Sequence, residues 1–224
     1  MAGYVSIEQS RRLWLVRHGV TAWNIQHRFA GQSDVPLTDE GRLQARWLAQ
    51  RLQTIRFKAV YSSDLGRAYK TAEIIVSQHA KPTQPVFIQT SPAWRELDFG
   101  VWDGLTYAEI ASQFPERLDF FTGSLQSAPP EGESLLQLQE RVMVALRQII
   151  AEHPTGEGDL LLVSHGGPLR LLICTLLGMP LARQWQLALA PGSLSALDLV
   201  SGADEATPSG ILTLLNEQRI VQEN

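Results

Sequence analysis

Two apolar runs that each end in His-Gly constrain this chain more than any other feature of it. One is Leu15-Val16-Arg17-His18-Gly19, and the other is Leu162-Val163-Ser164-His165-Gly166-Gly167. Short continuous apolar runs bounded by turn residues read as strands buried on both faces. Glycine follows each histidine, where the backbone must turn. Two histidines delivered from the ends of two such strands can share one pocket. Arg17 and Arg67 would make that pocket strongly cationic, which points to phosphoryl chemistry with histidine as the nucleophile.

The rest of the chain alternates strand and helix patterns. Residues 12–16 read as the first strand. Thr38 is a good N-cap with Asp39 and Glu40 behind it. Leu43, Trp47, Leu48, Leu52 and Ile55 recur at helical spacing, predicting a helix over 39–53. Residues 59–61 read as a short strand, and Ser62, Ser63 and Asp64 offer caps for a helix over about 65–79. A third strand is expected at 86–88, set off by Pro82 and Pro85. Residues 91–104 are irregular, 105–114 have helical character, and 122–133 read as a surface loop. Ser134 and Gln137 resemble a capping box opening a helix that runs to about 151. A strand at 160–163 and a helix at 168–177, closed by Gly178, follow. Strands at 194–199 and 211–215 end the chain. The alternation predicts an α/β protein, a three-layer α/β/α sandwich with a mostly parallel central sheet and an antiparallel hairpin at one edge.

The chain has 224 residues, 44% of them hydrophobic, enough for one core and one domain over 1–224. Residues 1–11 read as a tail and about 100–134 as an insertion roofing the pocket. A net charge of -4 and a pI near 5.7 argue against a nucleic-acid partner. They leave a local cationic pocket open, because net charge says nothing of clustering. Cys174 is the single cysteine, so no intrachain disulfide forms; its apolar neighbours mark it as an inert core thiol, and the count fits a reducing compartment. Residues 1–12 carry Glu8, Arg11 and Arg12 and no apolar core, unlike a signal peptide. Residues 160–181 are the most apolar, yet His165, Pro168, Arg170 and two glycines interrupt the roughly 20-residue run a membrane span needs. A cytoplasmic protein with no membrane partner is expected.

Open α/β sheets bind ligands at the carboxyl ends of their strands, where His18 and His165 both fall. The Gly166-Gly167 turn opens a helix whose first N–H groups suit an anion. Arg17 can fork two donors onto phosphate oxygens, and Asn24 lies one turn beyond His18. A histidine nucleophile is neutral, with its second ring nitrogen bonded to fix the tautomer. Attack gives a phosphohistidine, and a leaving alkoxide then needs an acid. Glu96 and Asp98, in an aromatic, glycine-rich loop, both qualify, and spacing leaves the choice open. A metal site built from His18, His165, Glu96 and Asp98 is the rival reading; no HExxH spacing supports it. His27, His79 and His153 lack such context and read as surface residues. Trp47, Trp94, Trp102 and Trp185 read as packing.

The motifs resemble the histidine phosphatase superfamily, which has the phosphoglycerate mutase-like fold. Leu15 to Gly19 with Thr21 and Asn24 is similar to its first signature. Pro36-Leu37-Thr38 with Gly41, Gln44 and Ala45 resembles the second block, and Tyr61 to Ala68 with Thr71-Ala72 the third. Arg95 to Gly100 with Trp102 and Gly104 resembles the acid-bearing loop, and Ser164 to Gly167 the last block. These pieces cover residues 13–170 in family order. The resemblance implies that His18 is the phosphorylated nucleophile and that Arg17, Arg67 and His165 bind phosphate with Asn24. It makes Glu96 the proton donor. Ala30, Gly31, Gly166, Trp102 and Tyr107 complete the implied phosphate- and substrate-binding set, and neither cofactor nor metal is implied.

The departures from the family pattern bear on activity. Val20 stands where the family often has Glu. Mutases of the family carry a lysine about eleven residues beyond the acid, where this chain has Tyr107. They also carry an adjacent arginine pair, where residues 110–134 offer only Arg117. Gripping a small carboxylated phosphate for re-phosphorylation needs such cations. The resemblance therefore favours a phosphatase of the α-ribazole phosphatase and broad-specificity kind, acting on a small phosphomonoester. Phosphoglycerate mutase and a catalytically silent phosphate-binding protein are the alternatives. A homodimer is allowed by the sequence and not specified by it. The aromatics of residues 99–121 fit either a substrate with a ring portion or simple packing of the cap.

Overall fold

The computed structural model describes residues 11–78, 87–122, 124–154, 158–200 and 208–220. In chain order its elements are β1 (Arg11–Arg17), α1 (Ala22–Ile25), α2 (Asp39–Leu52), β2 (Phe57–Ser63), α3 (Gly66–Ser77), β3 (Ile88–Ser91), α4 (Tyr107–Gln113), α5 (Leu135–Glu152), β4 (Asp159–Ser164), α6 (Gly166–Leu176), β5 (Leu194–Val200) and β6 (Ser209–Glu217). Short 3-10 turns occur at Pro92–Trp94, Gly100–Trp102, Pro115–Thr122 and Leu181–Gln186.

The strands form one sheet in the order β3-β2-β4-β1-β5-β6. The first four are parallel, β5 runs antiparallel to β1, and β6 antiparallel to β5. This is the expected mostly parallel sheet with an antiparallel edge. The apolar runs are continuous because both sheet faces are covered. Leu13, Leu15, Leu160 and Leu162 face one core with α5 and α6; Trp14, Val16, Leu161 and Val163 face the other with α2 and α3.

Caps and turns follow the sequence at most junctions. The Thr38 hydroxyl accepts the Gly41 N–H, Ser134 and Gln137 form a capping box, and Gly178 adopts a positive φ just past α6. Three details differ. The caps expected for α3 do not form: Asp34 accepts the Gly66 N–H at 2.8 Å, and Asp64 pairs with Arg95 at 2.6 Å instead. Strand β3 begins at Ile88, the last residue of the apolar triplet expected to form it, and runs on through the polar Gln89-Thr90-Ser91, which a short half-exposed edge strand accommodates; Val86, Pro82 and Pro85 lie outside the described residues. Helix α6 starts two residues before Pro168, which tolerates it because a first-turn N–H has no helical partner. Of the expected tail, residues 1–10 lie outside the described residues, and Arg11 opens β1. Among the described residues no helix is long and apolar enough to cross a membrane.

The turn after β1 is pressed against the start of α2. A Cβ on Gly41 would collide with the Val20 carbonyl oxygen, and one on Gly19 with the Gly41 carbonyl oxygen. Alanine in a helix normally outdoes glycine by about 0.5–1 kcal/mol. At Gly41 the sign reverses: Gly41→Ala is expected to destabilise the protein by about 1–3 kcal/mol, as overpacking does. Urea unfolding with a lowered midpoint and unchanged slope is the expected readout. A midpoint at or above that of the parent would show that the contact yields.

Candidate active site

Each of the four parallel strands delivers one part of a single site at its carboxyl end. Register pairs Arg17 of β1 with Ser164 of β4, so the next residues, His18 and His165, lie side by side with ring centroids 5.0 Å apart. Strand β2 leads into α3, whose first turn carries Arg67, and β3 leads through a 3-10 turn to Glu96.

His18 is tied down by its backbone: its N–H donates to the Ser164 carbonyl at 3.0 Å, and its carbonyl accepts the Gly192 N–H at 2.8 Å. Its Nδ1 lies 2.8 Å from the Gly19 carbonyl, a contact that makes Nδ1 the donor and leaves the lone pair on Nε2. Arg67 Nε donates to that Nε2 at 3.3 Å. Arg67 itself is 0% exposed. Its Nη1 donates to the Ser33 carbonyl at 2.6 Å, and its Nη2 to those of Ala30 and Gly31 at 3.1 and 2.7 Å. Asp103 holds this carbonyl loop from behind, accepting the Gly31 N–H, the Ser33 N–H and the Ser33 hydroxyl. Both ring nitrogens of His165 are buried with no protein partner.

Burial is the main influence on the charges. It drives His18 and His165 well below the usual imidazole range, and the Arg67 guanidinium adds to the effect on each. Both rings are therefore neutral near pH 7. Burial also lowers Arg17, to about 10, and lowers Arg67 and Arg170; in all three the Glu96 carboxylate opposes it. One carboxylate thus faces three guanidinium groups. Glu96, 9% exposed, accepts the Gly167 N–H at 3.0 Å at the start of α6 and the Leu97 N–H at 2.9 Å. Asp98 turns back on its own loop, accepting the Gly100 N–H at 2.9 Å. The structure so brings Glu96, and not Asp98, to α6 beside His165.

Several sequence-predicted residues take other places. Ala30 and Gly31 offer their carbonyls to Arg67, and the Gly31 N–H is spent on Asp103, so they position an arginine. Trp102 is 0% exposed and stacks on Phe121 with centroids 5.5 Å apart; it is packing and cannot line a pocket. Phe99, Phe114 and Phe120 join it in the same core. Tyr107, 52% exposed, meets Phe121 edge-on. Asn24 spends its Oδ1 on the N–H and hydroxyl of Thr21. Gly166 sits between two guanidiniums: a Cβ there would lie 3.2 Å from Arg170 Nη1 and 3.4 Å from Arg17 Cζ. His153 is no free surface residue, since its Nε2 lies 2.9 Å from the Tyr61 hydroxyl; His79 is outside the described residues. No group of three or more His, Cys, Asp or Glu side chains suited to a metal occurs among the described residues.

Arg170 is the site residue that sequence reading missed. Its Nε donates to the Leu187 carbonyl at 2.9 Å, while Arg17 Nη1 donates to that of Leu189 at 2.6 Å, so one loop holds both arginines. Trp185, 41% exposed and expected to be packing, lies over the Arg170 guanidinium at 5.6 Å. The signal was present: Arg170 falls four residues after Gly166 on a helix, hence on the same face. A cavity of about 560 Å³ also opens beside the acid loop, lined by Gln32, Arg95, Asp98, Glu133 and Arg141 among others. None of His18, His165, Arg67 or Glu96 lines it, so it is distinct from this cage.

Comparison with known proteins agrees with the geometry. A family model described as the histidine phosphatase superfamily (branch 1) matches residues 13–207. The chain is 38% identical over 190 residues to a probable phosphoglycerate mutase, GpmB, of Proteus mirabilis, covering 84% of each protein. It resembles a mycobacterial glucosyl-3-phosphoglycerate phosphatase at 30% identity and a TM-score of 0.82, covering 92% of this chain and 99% of that one. It also resembles a putative α-ribazole-5'-phosphate phosphatase from Escherichia coli at 30% identity and a TM-score of 0.79, covering 96% and 100%.

The neutral histidines set a pH dependence of stability. On unfolding, each returns to a pKa of about 6.5, so below that pH the unfolded chain binds protons the folded chain refuses. Their contribution is complete above about pH 6.5 and is lost as pH falls below it, by up to about 1.4 kcal/mol per pH unit for each ring. Unfolding free energies measured from about pH 5 to 7 should show a smaller slope in His165→Asn than in the parent. Equal slopes would mean that His165 takes up protons as readily in the folded protein as in the unfolded chain.

Proposed function

The chain belongs to the histidine phosphatase superfamily, and on that premise we propose that it is a phosphomonoester hydrolase working through a phosphohistidine at His18. The observation that carries this reading is the state of His18. Nδ1 is committed to the Gly19 carbonyl, and Nε2 presents a lone pair toward the Arg67 guanidinium.

His18 Nε2 attacks phosphorus as the ester oxygen departs opposite it. Arg17, Arg67 and His165 hold the remaining phosphoryl oxygens, donors already in place as charge shifts. Glu96 relays to the leaving oxygen the proton that the monoanionic phosphate ester brings, so the alcohol departs neutral. Glu96, now a carboxylate, takes a proton from water as the water oxygen attacks the phosphohistidine, and inorganic phosphate leaves with His18 restored. Arg67 has five N–H donors. Four are placed in the free protein, and phosphorylation of Nε2 releases the one it held.

The substrate proposed is a small phosphorylated metabolite of the α-ribazole phosphate, phosphosugar or phosphoserine type. The names of the solved relatives support hydrolysis, as does the lack of an arginine pair in residues 110–134, where Arg117 is exposed. A cofactor-dependent phosphoglycerate mutase is the second reading. The curated relatives carry that name, and Arg170 supplies a third guanidinium beside the phosphate pocket.

Phosphate release from a panel of metabolite monoesters, run beside isomerisation of 3-phosphoglycerate, separates the two. Release without isomerisation is expected; isomerisation without release would establish the mutase. The phosphoenzyme should be labile to acid and stable to alkali. His18→Ala should lose at least about 10⁴-fold in kcat, the scale of removing a nucleophile. A fully active His18→Ala would end the phosphohistidine mechanism.

A further inference from the structure

The proposed chemistry uses neither Arg141 nor Glu133, yet both are bonded to the stretch that carries the acid. Arg141, on α5, donates from Nη1 to the Ala93 carbonyl at 2.8 Å and from Nη2 to the Glu96 carbonyl at 3.0 Å. Its Nε and Nη2 also fork onto the two carboxylate oxygens of Glu133, at 2.7 and 2.9 Å. Glu133 accepts the Asp98 N–H at 3.3 Å and gives its own N–H to the Asp98 carbonyl at 2.9 Å. Pro130 takes the Val101 N–H at 3.1 Å. The backbone on either side of Glu96 is thus fastened to a helix and to the strap 130–133.

Glu96 needs such fastening. It lies in neither helix nor strand, two residues past the 3-10 turn Pro92–Trp94 and beyond the end of β3. No ladder or helical turn sets where its carboxyl points. A proton donor displaced by about 1 Å can cost 10²-fold in rate. Arg141 is suited to the task because its planar fork reaches two carbonyls and a carboxylate at once, which a lysine ammonium cannot do in that geometry. Its partner Glu133 keeps 14% of its side-chain surface exposed and Arg141 23%, so the pair is largely shielded from solvent.

We propose that Arg141, braced by Glu133, is the positioning residue for the proton donor, holding Glu96 by its backbone carbonyl so that the carboxyl reaches the leaving oxygen. The inference rests on the reading of Glu96 as that donor. It makes a claim that simple structural support does not: loss of the clamp should matter in proportion to how much the leaving group needs a proton.

The test compares kcat/KM for an alkyl phosphate, phosphoserine, with that for p-nitrophenyl phosphate, whose phenolate leaves unaided. General acid catalysis is worth roughly 10²–10⁴-fold. Glu96→Gln is the reference and should lose the alkyl ester selectively. Arg141→Lys should lower kcat/KM for phosphoserine by about 10–100-fold and for p-nitrophenyl phosphate by less than about 3-fold. If Glu96→Gln lowers both substrates equally, the donor assignment fails and the inference falls with it. If Glu96→Gln is selective and Arg141→Lys spares both substrates or lowers both equally, the clamp alone is refuted. Should Arg141→Lys not fold, Glu133→Gln, which keeps an oxygen acceptor for the guanidinium, carries the same comparison. It should show the same selectivity at smaller amplitude, and equal effects on both substrates would overturn the proposal.

Discussion

The parallel pairing of β1 with β4 is the contact on which the site depends. Arg17 lies opposite Ser164, so His18 and His165 leave their strands at the same level and the two rings meet. A slip of one residue would send one histidine to the opposite face of the sheet. Hydrophobic alternation does not guard against that slip, because both faces of both strands are buried and apolar. Polar ties at the strand ends do. Trp14 Nε1 donates to Asp159 at 2.7 Å, and the His18 N–H reaches the Ser164 carbonyl at 3.0 Å. Each of these bonds exists in one register only.

From that register the electrostatics follow. Burial keeps both imidazoles neutral, so the positive charge of the cage resides in Arg17, Arg67 and Arg170, facing Glu96. A chain with a net charge of -4 therefore holds a strongly cationic pocket. The arginines are held by backbone carbonyls: Ala30, Gly31 and Ser33 for Arg67, Leu189 for Arg17, Leu187 for Arg170. Carbonyl dipoles fix a guanidinium without cancelling its charge, whereas an ion pair would leave less of it for phosphate. Glu96, the carboxyl group that acts on all three arginines, is bound at the start of α6.

How much of this was legible in the sequence depended on whether a residue's role is set by its position along the chain. His18, His165 and Arg67 were legible because they sit at strand ends or in the first turn after one, places that pattern and glycine mark directly. The sheet and its antiparallel edge were legible for the same reason. Ala30 and Gly31 were expected to bind phosphate or substrate, while what gives them another place is the direction of their carbonyls and the reach of Asp103. Neither is encoded locally. Arg170 was weighed only as a charge that breaks an apolar run, though its helical spacing from Gly166 already placed it on the site's face. Strand β3 was expected at 86–88 and runs from Ile88 to Ser91, because an edge strand has no need of the apolar pattern that identifies buried ones.

The proposed nucleophile and the proposed acid are thus held by different physics. His18 is one residue past a central strand, and close backbone contacts that only glycine permits at positions 19 and 41 press its turn into place. Its position is a consequence of the sheet, and sequence pattern reaches it. Glu96 lies on an irregular segment whose place comes from side chains far away in sequence: Arg141 and Glu133 behind it, Gly167 in front. Such a network leaves no periodic trace, which is why spacing could not choose between Glu96 and Asp98. Asp98 shares the loop and the same strap, but its carboxylate closes on the Gly100 N–H two residues away, whereas that of Glu96 crosses to another helix. That crossing is what favours Glu96 as the proposed acid, and it depends on contacts between parts of the chain that only the fold brings together.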